Sequence, residues 1–163
     1  MPSELHESQN KQAAKWLKKQ GFGVVATNIK ALESREIIDV IGFRTSCSIV
    51  IESKVSRADF FADFKKPERK EGAAALGLYR AYICPVGLIK KEEVPKGWIL
   101  LYSNGKKIVE EIKPKGNHWP SSDYKSQVGE EWKPYQHKIN EKSERSMLYS
   151  LCRRLVMGEK IER

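Results

Sequence analysis

Two runs decide the fold: EIIDVIGF at residues 36–43 and SIVIESK at residues 48–54. Both are dense in β-branched side chains, which suit a pleated, half-buried surface. The polar stretch Arg44-Thr-Ser-Cys47 between them has the length of a turn, so the pair is expected to form a hairpin. Asp39 fits its strand poorly. It lies among Ile37, Ile38, Val40 and Ile41, where aspartate is disfavoured and a buried carboxylate needs a partner. At the end of the second run Glu52 and Lys54 point to one face, because strand side chains alternate, while Ser53 turns the other way.

Upstream, residues 4–20 have the pattern of a helix. Ser3 can cap it, Glu4 and Glu7 suit its positive end, Ala13, Trp16 and Leu17 recur at helical spacing, and Gly21 stops it. Residues 22–26 are a short strand candidate, joined to 36–43 by a polar link over 28–35. Downstream, Ser56 is placed to cap a helix that carries Phe60, Phe61 and Phe64 and ends at Pro67, and the small residues of 72–76 are expected to add a second helical piece. Residues 79–84 form the next strand. Residues 98–102 and 107–112 then flank Asn104-Gly105, a dipeptide that supplies the positive φ angles of a type I′ turn. Residues 113–135 mix Pro, Gly, Ser and isolated Trp without periodicity and read as a linker or irregular extension. Finally, Ile139, Met147, Leu148, Leu151, Cys152, Leu155 and Val156 make an apolar stripe on a C-terminal helix that also holds Arg145, Arg153 and Arg154. Packing of this stripe on the chain's own sheet is favoured over a dimer face, and both monomer and homodimer stay open. The order of elements is an α/β or α+β layout.

At 163 residues the chain suits one domain with a real core and excludes a multidomain machine. No apolar run approaches the roughly 18 residues a membrane span needs. Cys47, Cys84 and Cys152 are odd in number and lack a CxxC pair, so neither a disulfide framework nor a zinc site is indicated. The polar N-terminus resembles no leader, and a soluble, reducing, cytoplasmic setting is expected. Lysine and arginine number 30 against 21 aspartates and glutamates, a net charge of +9 that favours a polyanion, nucleic acid before membrane surface.

If the hairpin forms, Asp39 joins Glu52. Two carboxylates and the Ser53 carbonyl at a strand end make a hard-oxygen site for Mg²⁺, with Mn²⁺ able to substitute. A lysine beside it, Lys54, can hold or help deprotonate a water and stabilise charge on a phosphate, which is the equipment for phosphodiester hydrolysis. The Glu-x-Lys triplet alone is weak, since it recurs at Glu68-Arg69-Lys70 and Glu111-Ile112-Lys113. Glu52-Ser53-Lys54 is distinguished by the apolar strand before it, the upstream Asp39 and the helix after it. The bland alternative is a solvated strand end, worth at most about 1 kcal/mol. Asp59 and Asp63, four apart on the next helix, either orient Lys54 or the substrate or form a solvated face opposite the phenylalanines. Lys65, Lys66, Arg69 and Lys70 are placed to track phosphates next to the metal. His6, His118 and His137 lack ligand spacing and read as surface residues, and Trp98 reads as core.

These residues resemble the PD-(D/E)xK nuclease superfamily, with Asp39 in the place of its motif aspartate and Glu52-x-Lys54 in the place of its second motif. Within it, VIESKVSRADFFADFKKPE (50–68) is similar to MmcB-like DNA repair proteins and related phage and bacterial proteins, as are VPKGWILLY (94–102) and ERSMLYSLCRRL (144–155) more loosely. The resemblance implies a restriction-endonuclease-like core over residues 1–112, a central mixed β-sheet flanked by helices, with an irregular linker and C-terminal helix over 113–163. It also implies Asp39, Glu52 and Lys54 as catalytic residues, Asp39, Glu52 and Ser53 as Mg²⁺ ligands, and DNA as the substrate in repair, recombination or phage DNA processing. Many members add a glutamate from the first helix, here Glu7 before Glu4, although either also suits the helix dipole. The chain departs from relatives at Asn28, where an acid is common, and at Lys66 and Arg69, where aromatics are common. The opposing reading is a nuclease fold without catalysis that binds DNA or a protein partner.

Overall fold

The expected hairpin lies in the middle of the fold. In a computed structural model, which describes residues 3–30 and 37–158, strand β2 (Ile37–Phe43) pairs antiparallel with β3 (Ser48–Ser53), and the Arg44 amide donates to the Cys47 carbonyl at 2.9 Å to close the turn. Around this pair a six-stranded sheet forms in simple chain order, with β1 (Val24–Lys30), β4 (Tyr79–Pro85), β5 (Ile99–Ser103) and β6 (Ile108–Ile112). The β3–β4 and β4–β5 pairs are parallel and the rest antiparallel. Parallel neighbours need long crossovers, and the chain supplies them through 54–78 and 86–98.

Helices cover both faces. Ser3 caps α1 (Glu4–Lys19), whose Ala13, Ala14 and Leu17 pack on Val40, Ile49 and Ile51 of one face. On the other face Met147 and Leu151 of α4 (Glu141–Val156) meet Ile41, Val50 and Leu76. Phe60 of α2 (Arg57–Asp63) meets Tyr82, Trp98 and Leu100 on that same face, so Trp98 is core as expected. The chain is therefore an α+β protein with a central mixed sheet between helices.

Several local expectations change. Strand β1 runs on through Lys30, its pairing with β2 resuming at Ile29 and Lys30 past Asn28, which has a left-handed φ of 51°; residues 31–36 of the expected link lie outside the described residues. Helix α2 stops at Asp63, and Pro67 instead opens a short 3₁₀ turn. Residues 72–76 are not helical: Gly72 has a φ of 75°, and Ala75 forms a bridge to Ile139. The β5–β6 turn is not type I′, because Gly105 has positive φ and Asn104 does not; the Asn104 side-chain oxygen accepts from the Lys106 and Lys107 amides instead.

The largest correction concerns residues 113–135. Trp119 and Trp132 are 1% and 0% exposed and sit in the same core as α1 and Tyr79, so this stretch is a wall of the core and not a passive linker. It carries α3 (Gln127–Trp132), capped by Ser126. In the apolar stripe of α4, Met147 and Leu151 are buried, while Leu148, Leu155 and Val156 remain exposed. Among the described residues no helix is long and apolar enough to cross a membrane.

Candidate functional site

Extending the β2–β3 register one pair beyond Val40 and Ile51 sets Asp39 opposite Glu52, and Glu52 is paired on its other side with Tyr82 of β4. The alternation read from the sequence thus brings the two carboxylates together. Oδ2 of Asp39 accepts from the Ser53 amide at 2.9 Å, and Oδ1 lies 3.2 Å from Nε2 of His6. Burial, reinforced by the negative charge of Glu52, raises the Asp39 carboxyl from 3.8 to about 6, against the Ser53 hydrogen bond and the positive charge of Lys54. Asp39 keeps 14% of its side chain exposed and Glu52 only 2%, so solvent reaches the pair from the Asp39 side.

Glu52 belongs to a second cluster that the sequence reading divided differently. Its Oε2 is 3.8 Å from Lys54 Nζ and 3.4 Å from Lys66 Nζ, and its Oε1 is 3.3 Å from the Arg69 guanidinium. Asp63 is the other anion. It is buried, it accepts from Tyr82 Oη at 2.6 Å, and it pairs with Lys54 at 3.2 Å, Lys66 at 3.1 Å and Arg69 at 2.7 Å. Burial alone would raise the Asp63 carboxyl, but the Arg69 hydrogen bond and charge, the charge of Lys54 and the Tyr82 hydroxyl hold it far below the usual carboxylate range. The same cluster and burial push the Tyr82 hydroxyl up.

Three expectations are corrected here. The solvated face of α2 is the one with Phe61 and Phe64, at 44% and 40% exposed, while Asp63 turns inward beside Phe60. Asp59 does not reach Lys54; its carboxylate accepts from the Val55 amide at the helix entry. Arg69 does not lie along an exposed row with Lys65 and Lys70, because it is drawn onto Glu52 and Asp63 and stacks over Trp98 at 4.9 Å. Lys65 and Lys70 are exposed. Lys66 is half-buried between the two acids.

The first helix enters the site through residues that its sequence did not single out. The Gln9 amide donates to Ser53 Oγ at 2.7 Å and to the Lys54 carbonyl at 3.2 Å. Asn10 donates to Asn28, and Asn28 in turn donates to both oxygens of Glu7, at 3.3 and 3.1 Å. Glu7 is therefore held by Asn28 and not by the Asp39 pair, and Glu4 lies on the outer flank of α1. His6 and His137 are not surface residues: His6 faces Asp39, and His137 is half-buried against Gly97. Ser, Asn and Gln at the start of a helix carry no catalytic signature, and a histidine facing an aspartate 33 positions away has no local pattern to betray it.

Some buried polar atoms near the site have no hydrogen-bond partner among the described residues. Of the six buried side-chain atoms without a hydrogen-bond partner among the described residues, four belong here: His6 Nδ1, Gln9 Oε1, Asn10 Oδ1 and Glu52 Oε1. Gln9 Oε1 and Glu52 Oε1 lie at the Ser53 end of β3, the latter 3.3 Å from the Arg69 guanidinium, while Asn10 belongs to the Asn28 network; an acceptor left in this way is met by a cation or an ordered water. Among the described residues no three His, Cys, Asp or Glu side chains converge as a metal group. The oxygen set expected from sequence has only two such side chains, Asp39 and Glu52, completed by a backbone carbonyl, and that set fits a hard cation that keeps several waters.

No protein-family model matches the chain, and no curated protein matches it. A solved structure does. A protein of unknown function from Silicibacter pomeroyi superposes with a TM-score of 0.60 at 19% identity, over 95% of this chain and 91% of that one. The two share a fold. At that identity the likeness carries the architecture of sheet and helices and nothing about chemistry.

Proposed function

We propose that the Asp39–Glu52–Lys54 centre hydrolyses phosphodiester bonds in DNA with Mg²⁺ or Mn²⁺. The observation that carries this reading is the register that sets Asp39 opposite Glu52 at the ends of two paired strands, with Lys54 Nζ 3.8 Å from Glu52 and the Asp39 carboxyl raised by burial and by the charge of Glu52. Asp39, Glu52 and the backbone at Ser53 would hold the cation, which supplies charge to polarise a phosphate and activate a water. Each residue of the chain then has a defined task. The Ser53 amide fixes one Asp39 oxygen, so the other is the one presented to solvent beside His6. Lys54 donates to Asp63 at 3.2 Å and lies 3.8 Å from Glu52, and its remaining ammonium hydrogens can hold a water or a phosphate oxygen. Asp63, kept ionised, holds Lys54 in place. The sequence resemblance to PD-(D/E)xK nucleases supports the same assignment of roles.

A second reading has its own observation. Glu52 is almost fully buried and is met by Lys54, Lys66 and Arg69, so the centre is already neutralised in part by the protein's own cations. On that reading the fold is retained for binding DNA or a partner without cutting. One experiment separates the two. Purified protein is incubated with labelled DNA and millimolar Mg²⁺ or Mn²⁺, beside Glu52→Gln and Asp39→Asn variants whose circular dichroism matches wild type. Metal-dependent cleavage lost in both variants is the expected result. Absence of cleavage together with no heat of Mg²⁺ binding by calorimetry overturns the hydrolase reading and leaves the binder.

A further inference from the structure

Of Lys65, Lys66, Arg69 and Lys70, expected to follow the site, Lys65 and Lys70 are exposed. Lys54, Lys66 and Arg69 face Glu52 and Asp63. An exposed field lies elsewhere, on the outer flank of α1. Lys11, Lys15, Lys18 and Lys19 occupy roughly 100° of the helix circumference and, from Lys11 to Lys18, roughly 10 Å of its length. From Ser8 to Gln20 the helix and its end contain no acidic residue at all, so Lys15, Lys18 and Lys19 have no acidic partner at the i+4 spacing that ordinarily makes a solvated helix face neutral, and the acid at that spacing from Lys11, Glu7, is held by Asn28.

A distant segment brings the same charge to the same place. The β5–β6 turn presents Lys106 and Lys107, and the Ser103 hydroxyl at its base hydrogen-bonds to Gln12 of α1, locking the turn against the helix. Two shallow grooves result. One, of about 780 Å³, runs along Lys11, Lys15 and Lys18 to Gly105; the other, of about 310 Å³, lies between Lys15, Lys19, Lys106 and Lys107. All six lysines are exposed, and none takes part in an ion pair among the described residues. The acids on these grooves are Glu4 and Glu7, at the N-terminal end, where Glu7 is already held by Asn28.

We infer that this flank is a binding surface for the sugar–phosphate backbone of duplex DNA. The surface is open and lined by point charges. The aromatic ring it offers, Trp16, is half-buried, and it has no platform for the base stacking that single-strand sites use. The apolar residues on the grooves, Trp16 and Ile108, are both half-buried, which disfavours insertion into a lipid surface. The choice of DNA rests in part on the hydrolase reading, but the surface itself requires no hydrolysis.

The test is binding of a fluorescent duplex, followed by anisotropy in EDTA so that neither metal nor cleavage intervenes. The Lys15→Glu/Lys107→Glu variant should bind at least about tenfold more weakly near 0.1 M salt, and its salt slope should fall by about 2, because each lost phosphate contact removes about 0.9 from it. An Arg145→Glu/Arg153→Glu variant carries the same change of net charge on α4 and should keep the wild-type slope. Equal weakening by both variants, or wild-type binding by the first, overturns the surface. So does wild-type protein that ignores DNA but sediments with anionic phosphatidylserine vesicles. Lost cleavage in Glu52→Gln with unchanged anisotropy leaves the surface standing; failure of the lysine variants with cleavage intact leaves the hydrolase standing.

Discussion

The Ser53 amide donates to Oδ2 of Asp39 across 2.9 Å, so the residue at the end of β3 holds the carboxylate that the neighbouring strand brings to it. That bond lowers the Asp39 carboxyl, but burial and Glu52 outweigh it and the folded value rises from 3.8 to about 6. A carboxyl raised on folding contributes stability that is complete below its unfolded value and disappears as pH rises through its folded one. In metal-free buffer Asp39→Asn should therefore equal wild type below about pH 4 and exceed it at pH 8, by on the order of 3 kcal/mol in urea denaturation. Millimolar Mg²⁺ should reverse the order at pH 8 by stabilising wild type alone. A variant that is less stable at pH 8 without metal would show that the hydrogen bond from Ser53 matters more than the buried charge.

Asp63 has the opposite sign. Its carboxyl is depressed by Arg69, Lys54 and Tyr82, so it contributes stability above 3.8 that is lost as pH falls below that value. Replacing it by Asn leaves Lys54 buried beside a single acid, and breaking a buried pair in this way costs about 3–5 kcal/mol. Asp63→Asn should lower the urea midpoint accordingly at pH 7 and remove part of the wild-type acid transition. Tyr82→Phe, which deletes a hydrogen bond of 2.6 Å to a charged group, should cost about 1.5–3 kcal/mol.

The difference between these carboxylates shows how far the sequence reaches. Period-two alternation and a turn of known length suffice to place Asp39 across from Glu52, because strand register is a local rule extended over one hairpin. Asp63 is different, because its inward position depends on which side of α2 meets the sheet. Phe60, Phe61 and Phe64 span about 100° of helix circumference and read as one apolar face, yet only Phe60 is buried, and Asp63 beside it turns inward to pair with Lys54, Lys66 and Arg69, partners that no spacing within the helix shows. His6, Gln9 and Asn10 enter through the docking of α1 on the sheet, a contact with no counterpart in local spacing. Trp119 and Trp132 were hidden for a related reason: a core wall without regular secondary structure has no periodicity to read.

His137 provides a separate pH signature. Its Nε2 donates to the Gly97 carbonyl at 2.8 Å, and burial, with the charges of Arg80 and Arg69, lowers the imidazole from 6.5 to about 4. The neutral ring is thus the form the fold keeps, and its contribution is present above 6.5 and lost as pH falls toward 4. His137→Gln should remove that slope. The wild-type advantage over the variant should shrink by on the order of 3 kcal/mol between pH 7 and pH 4 in paired denaturation curves. Parallel curves for the two proteins would show that the ring charges without cost.

Trp132 tests whether residues 113–135 belong to the core. Its ring lies 4.7 Å from that of Trp119 and 5.7 Å from that of Tyr79, centroid to centroid, and Lys113 Nζ sits 4.9 Å over its face. Trp119 in turn meets Phe22 and Trp16, so the segment closes over the C-terminal half of α1. Removing such a ring leaves a cavity that the irregular backbone around it can fill only in part, and Trp→Ala at a fully buried site costs about 3–5 kcal/mol. Trp132→Ala should lower stability by that amount, and Trp132→Phe, which keeps an aromatic ring in the cluster, by less. A change below about 1 kcal/mol for the alanine variant would be the behaviour of a surface residue and would return 113–135 to the status of a linker.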